Sequence, residues 1–150
     1  MRTAAAMTRD VVVVPPQLDL AEARKLMERR HIRHLPVVKH GRLVGILSDR
    51  DLLRYDGLLL DQVEVPVSAA MTHAPITCHI STTVSRVAQM MLDHKIDSVP
   101  VVDPSGLLVG LVTSSDLLQL LVESADVQAL PFHFRLSLRE EDGMAAEAGA

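Results

Sequence analysis

The sequence contains no tryptophan and only three aromatic residues, Tyr55, Phe132 and Phe134. Surfaces that hold single-stranded nucleic acid stack bases on aromatic rings, so the composition argues against such a surface. Cysteine is nearly absent: Cys78 stands alone, which excludes an intrachain disulfide framework and fits a reducing compartment. No apolar run approaches the ~18–20 residues of a membrane span. The start, Met1-Arg2-Thr3-Ala4, lacks the apolar stretch of a secretory signal. Positive charge is not in excess either, with 15 Lys and Arg against 19 Asp and Glu for a net of −4, so no basic field draws in DNA or anionic membrane. What is present is aliphatic. Hydrophobic residues make up 48% and charged residues 23% of 150, a globular composition. A chain of that size hides roughly 68–70% of its unfolded surface, enough for a self-sufficient core. A small cytoplasmic protein is expected, with neither nucleic acid nor membrane as partner.

The chain repeats itself. Ala5-Ala6-Met7-Thr8 recurs as Ala69-Ala70-Met71-Thr72, and at the same offset Met27 meets Met91, Ile32 meets Ile96, and Pro36-Val37-Val38 meets Pro100-Val101-Val102. One residue is then inserted where Lys39-His40 faces Asp103-Pro104-Ser105, as a turn would tolerate. Beyond it Gly41 matches Gly106, Leu43-Val44-Gly45 matches Leu108-Val109-Gly110, and Asp51-Leu52-Leu53 matches Asp116-Leu117-Leu118. Each unit of about 50 residues is too short for a good core of its own, so the two are expected to pack as one pseudo-symmetric module.

Both units read as β-α-β-β-α, an α/β protein of the α+β type. The β-branched run Val11–Val14, stopped by Pro15-Pro16, predicts a first strand. Asp19 with Glu22 predicts a capping box on a helix running to about Arg30, with Ala23, Leu26 and Met27 on its buried stripe. Strands are expected at 35–38 and 43–47, with a helix from Ser48 or Asp49. The second copy gives strands at 76–78, 99–102 and 107–112 and helices at 84–93 and 114–123. The linker Leu58-Leu59-Leu60 is expected to pack. In the tail, Phe132, Phe134, Leu136 and Leu138 alternate like a strand, while 139–150 has a disordered composition.

Among the repeated residues, the polar ones are the informative ones. Ser48-Asp49-Arg50-Asp51 and Thr113-Ser114-Ser115-Asp116 each place a hydroxyl at a strand end and a carboxylate three residues on. That spacing caps a helix. It also suits a nucleotide, because a helix N-terminus offers N–H groups to phosphate and an ionised Asp accepts ribose hydroxyls. Both readings stay open, and the hydroxyl can serve both.

The repeated Met-Thr, the Pro-Val-Val strand and the Gly-x-x-Ser/Thr-x-x-Asp corner together resemble a tandem pair of cystathionine β-synthase (CBS) domains, the Bateman module, over about residues 5–123. The resemblance implies one CBS repeat at 5–56, a linker at 57–68, a second repeat at 69–126 and a partly disordered tail at 127–150. It implies two clefts between the repeats, each able to take AMP, ADP, ATP or a related adenosyl compound as a regulatory ligand. No metal is required, and the module has no catalysis of its own. Asp51 and Asp116 would hold ribose hydroxyls, with Ser48 and Thr113 near ribose or phosphate and Arg50 and Ser115 facing phosphate. Arg33 and His34, matched by Asp97 and Ser98, would line the clefts. Adenine would lie against Val12–Val13 and Ile76–Thr77, near Pro36 or Pro100. Residues 1–64 carry 11 Lys or Arg against 9 Asp or Glu, and residues 65–126 carry 2 against 6. Phosphate charge is therefore expected from Arg33, His34 and Arg50, and the second copy is expected to be the poorer phosphate wall. The family often pairs two modules into a flat disc, and the leucines at 52–53 and 117–121 suit a homodimer. A regulated partner protein is a further implication. The alternative is a structural pair that serves dimerisation or partner binding with empty clefts.

Other constellations carry less. His73, Cys78 and His79 lack a regular zinc spacing, and strand alternation would turn Cys78 and His79 to opposite faces. The basic run Arg29–His34 suits a helix C-terminus, where cations are favoured.

Overall fold

The computed structural model describes residues 1–124. The expected strand-like stretch at 132–138 and the disordered-looking 139–150 lie outside the described residues. Residues Met1–Leu120 form one compact unit. It is built from two equivalent hairpins, each with a long helix. In the first, β1 (His34–Lys39) pairs antiparallel with β2 (Arg42–Ser48); in the second, β4 (Ser98–Val102) pairs with β5 (Leu108–Thr113). Both registers put the residue that opens the hairpin opposite the corner hydroxyl, His34 against Ser48 and Ser98 against Thr113. Both ladders slip by one residue, at Val37/Val38 and at Val101/Val102. Both turns use a glycine in the left-handed region, Gly41 at φ 76° and Gly106 at φ 87°, where a side chain would be strained.

Helix α2 (Leu20–Arg30) buries Leu20, Ala23 and Met27, and helix α6 (Val84–His94) buries Val87 and Met91. Each ends on a left-handed residue at the same repeat position, His31 and Lys95, both at φ 53°. The corner hydroxyls open α3 (Asp49–Leu53) and α7 (Ser114–Glu123).

The expected first strands reduce to single bridges. Only Val14 of Val11–Val14 pairs, parallel to Val37, and Val13 is 43% exposed. The following Pro15 has no N–H to extend the ladder. Likewise only Cys78 of Ile76–Cys78 pairs, with Val101. Asp19 does not form the expected capping box. It makes no side-chain cap, and its Oδ1 accepts from the Val65 N–H at 3.4 Å, because the linker returns alongside and Leu20 N–H donates to Val65 C=O at 2.7 Å. The linker forms α4 (Asp56–Leu60), anchored by an Arg24–Asp56 ion pair. Leu59 packs against the first core as expected, but Leu58 and Leu60 are exposed.

The repeated Ala-Ala-Met-Thr segments decide the architecture. They form the single turns α1 (Thr3–Ala6) and α5 (Val67–Ala70), and each packs on the opposite half of the molecule. Thr3 N–H and its hydroxyl donate to Thr82 C=O at 2.8 and 2.7 Å, and Thr8 and Leu111 exchange N–H···O bonds at 2.8 and 3.0 Å. Met7 thereby joins a core of Cys78, Val87, Met91, Val99, Val101 and Val112. Reciprocally, Val67 N–H donates to Leu18 C=O at 2.8 Å. Strand β3 (Thr72–His73) extends the first sheet along β2, and Met71 enters a core with Leu20, Met27, Leu35, Val37 and Leu47. The sequence repeats and the packing units therefore differ by one exchanged segment each.

Both exchanged methionines sit where a glycine leaves room. A Cβ on Gly110 would lie 2.6 Å from Met7 Sδ and 3.0 Å from Thr8 O, and one on Gly45 would lie 2.4 Å from Met71 Sδ and 2.9 Å from Thr72 O. Gly45→Ala and Gly110→Ala are each expected to destabilise the fold by about 1–3 kcal/mol through overpacking. Chemical denaturation measures this; a loss under ~0.5 kcal/mol in either variant would contradict the packing.

Candidate functional site

Each strand-to-helix corner is a closed hydrogen-bonded box. Ser48 N–H and Oγ donate to Asp51 Oδ2 at 2.8 and 3.0 Å, and Asp51 N–H returns to Ser48 Oγ at 3.3 Å. Thr113 and Asp116 reproduce it with the same distances, 2.8, 3.0 and 3.3 Å. A backbone and a hydroxyl donor thus meet one carboxylate oxygen, and Oδ1 remains able to accept from a ligand hydroxyl.

A cleft opens at each corner, and residues from both halves line each one. The first, of about 230 Å³, sets Ser48, Arg50 and Asp51 against Thr72–Ile76 (without His73) and Lys95–Ser98. The second, of about 270 Å³, sets Thr113 and Ser115 against Thr8, Asp10–Val12 and His31–His34. The apolar walls correspond by repeat: Ile46, Ile76 and Ile96 in one, Leu111, Val12 and Ile32 in the other. Mostly apolar walls with a few convergent polar groups are typical of small-molecule sites, and these volumes fall just below the ~300–1,000 Å³ of drug-sized ligands.

Of the residues read from the sequence, Ser48, Arg50, Asp51 and Ile76 line the first cleft, and Val12, Arg33, Thr113 and Ser115 line the second. His34 lines both. Asp116 caps its corner without lining the second cavity, and Val13, Thr77, Pro36 and Pro100 line neither. Pro36 and Pro100 are fully buried. Sequence reading missed Thr8 and Thr72, although they close the repeated Ala-Ala-Met-Thr blocks; it also missed Asp10, His31, Lys95 and Ile96.

The three first-copy residues expected to supply phosphate charge, Arg33, His34 and Arg50, are divided between the clefts. Arg33 faces the second copy's corner, while Arg50 faces the first. Arg50 Nη2 lies 3.7 Å from Asp97 Oδ2, and the guanidinium is 77% exposed. Such a pair contributes ~0–1 kcal/mol to stability but neutralises the cation locally. Burial lowers the His34 pKa below its ordinary 6.5; Asp49, Asp97 and Asp51 oppose that shift and Arg33 adds to it. Burial thus favours the neutral form of this imidazole, which lines both clefts. Burial raises the Cys78 thiol pKa, with a side-chain hydrogen bond involving Thr3 acting the other way, so burial favours the protonated thiol in this core. Its neighbour His79 is exposed and bonds through Nδ1 to Val102 C=O at 3.1 Å. Among the described residues no group of three or more His, Cys, Asp or Glu is placed to hold a metal, and no helix is long and apolar enough to cross a membrane.

The CBS-domain family model matches residues 4–57 and 67–123, the two halves just described. The chain belongs to the CBS-domain family. It is a tandem CBS pair, the Bateman arrangement. The CBS domain pair of protein MJ0100, solved with 5′-methylthioadenosine and S-adenosyl-L-methionine, has a TM-score of 0.74 at 31% identity, covering 82% of this chain and 97% of that one. CBSX2, solved with AMP, has a TM-score of 0.73 at 29% identity, over 81% and 96%. The inosine-5′-monophosphate dehydrogenase of Korarchaeum cryptofilum is 38% identical over 117 residues, which are 77% of this chain. This CBS pair spans only 23% of that enzyme's length.

Proposed function

We propose that this CBS pair is a regulatory module that binds an adenosyl ligand, an adenine nucleotide or a related compound, without catalysing a reaction on it. The observation that carries this reading is the pair of matched clefts, each joining an apolar wall to a hydroxyl–carboxylate corner, with Asp51, already oriented by two donors, lining the first. An adenosine is built the same way, with a flat apolar base beside a diol. The walls suit the base, and the free oxygen of Asp51 suits the diol. Relatives of the same fold solved with AMP, S-adenosyl-L-methionine and 5′-methylthioadenosine support the class of ligand. The dehydrogenase likeness concerns only the CBS region and lends no support to dehydrogenase chemistry here.

The test is a thermal and chemical denaturation panel with AMP, ADP, ATP, S-adenosylmethionine and NAD. A ligand at about 100 times its Kd is expected to add roughly 2.7 kcal/mol of stability. Asp51→Ala is expected to reduce that gain through the first cleft, which Asp51 lines, while ATP with magnesium stays intact. A flat response to every compound, or ATP turnover that vanishes in Asp51→Ala, would sink the proposal.

The reading includes pairing of two copies in solution, ahead of any regulated partner protein. At matched positions in α3 and α7, Leu53 is 68% and Leu118 61% exposed. Large apolar side chains repeated on final helices favour a covering surface, and a second copy offers the same apolar chemistry. Light scattering at tens of micromolar is expected to give a dimer, which Leu53→Glu with Leu118→Glu dissociates. A monomer in the parent chain would refute pairing.

A further inference from the structure

Resting on the adenosyl-ligand reading, we infer that the two clefts select by charge: the Thr113 cleft takes a phosphorylated adenosyl ligand through Arg33, and the Ser48 cleft takes one without phosphate. The argument begins with a sign inversion at one repeat position. Arg33 and Asp97 are equivalent, each directly ahead of the residue that opens its hairpin. Because the clefts are built across the halves, Arg33 lines the second cleft and Asp97 lines the first. The corner position two after the hydroxyl inverts the balance again, with Arg50 in the first cleft and Ser115 in the second.

These two differences do not cancel. In the first cleft Arg50 is paired with Asp97 at 3.7 Å, and Asp49 and Asp51 add two more carboxylates against Lys95. A phosphate entering there meets a neutralised guanidinium and an acidic surround. In the second cleft Arg33 has no ion-pair partner among the described residues, and Asp10 is the one carboxylate lining the cavity. There a guanidinium can donate two N–H bonds to a phosphate without first giving up a partner. The total charge of each half therefore does not assign a cleft; what matters is which side chains converge.

The experiment is calorimetry of the full chain with AMP and with adenosine, on the parent, Arg33→Ala and Asp97→Asn, with ligand-free melting as a control for folding. Both substituted side chains are solvent-accessible. In Arg33→Ala, AMP is expected to weaken roughly 10- to 100-fold, the loss of one charged hydrogen bond, while adenosine is unchanged. Asp97→Asn frees Arg50, and the number of AMP sites per chain is expected to rise from one to two. Unchanged AMP affinity in Arg33→Ala, an equal loss for adenosine, or no added AMP site in Asp97→Asn would each overturn the assignment. If the parent binds neither compound, the selectivity falls, and the adenosyl reading falls with it when the wider panel is also flat; if it binds both and Arg33→Ala changes nothing, only the selectivity falls.

Discussion

Everything in this module depends on the contact between an exchanged methionine and a glycine that has no side chain to oppose it. Met7 lies over Gly110 and Met71 over Gly45, at distances that no Cβ would permit. That contact carries each Ala-Ala-Met-Thr turn onto the other half. The chain leaving the turn then has one course, across the mouth of the opposite corner. Thr8 and Val12 arrive beside Thr113, and Thr72 and Ile76 beside Ser48. Neither half therefore owns a complete cleft. Two repeats of about fifty residues, each short of a core, complete one another's hydrophobic interior and one another's binding surface by the same exchange.

The corners show how a structural device becomes a functional one at little cost. The capping box satisfies backbone groups that a helix N-terminus would otherwise leave bare, which favours the fold with or without ligand. It also holds the carboxylate still, so a ligand hydroxyl meets an acceptor whose position is already set. Preorganisation of this kind lowers the entropy lost on binding. The two readings of these residues are two uses of one geometry.

Much of this was legible in the sequence because it is local or repeated. The two hairpins, the long helices and the capped corners follow from periodicity and from motifs that recur at nearly one spacing, and the tandem CBS architecture from the family resemblance those motifs carry. The misreadings share a different cause. Val11–Val14 has strand-forming side chains, but a strand also needs a partner along its whole length, and only Val14 finds one. Asp19 has the spacing of a cap, yet the linker, approaching from 46 residues away, takes its carboxylate. Charge counted by halves says nothing of which cleft each side chain enters, since the clefts are built crosswise and Arg33 and Arg50 line different ones. Thr8 and Thr72 stood in plain sight as repeated residues, and only the exchange gives them a place.

The exchange itself is open to a direct test by double-mutant cycles joining Met7→Ala or Met71→Ala to Gly45→Ala or Gly110→Ala, read by chemical denaturation. Truncating the methionine that faces an added methyl makes room for it, so Met7→Ala with Gly110→Ala, and Met71→Ala with Gly45→Ala, are expected to couple favourably by about 0.5–3 kcal/mol. The crossed pairs, Met7→Ala with Gly45→Ala and Met71→Ala with Gly110→Ala, are expected to add within ~0.5 kcal/mol. Coupling in the crossed pairs instead would place each segment on its own half and contradict the account.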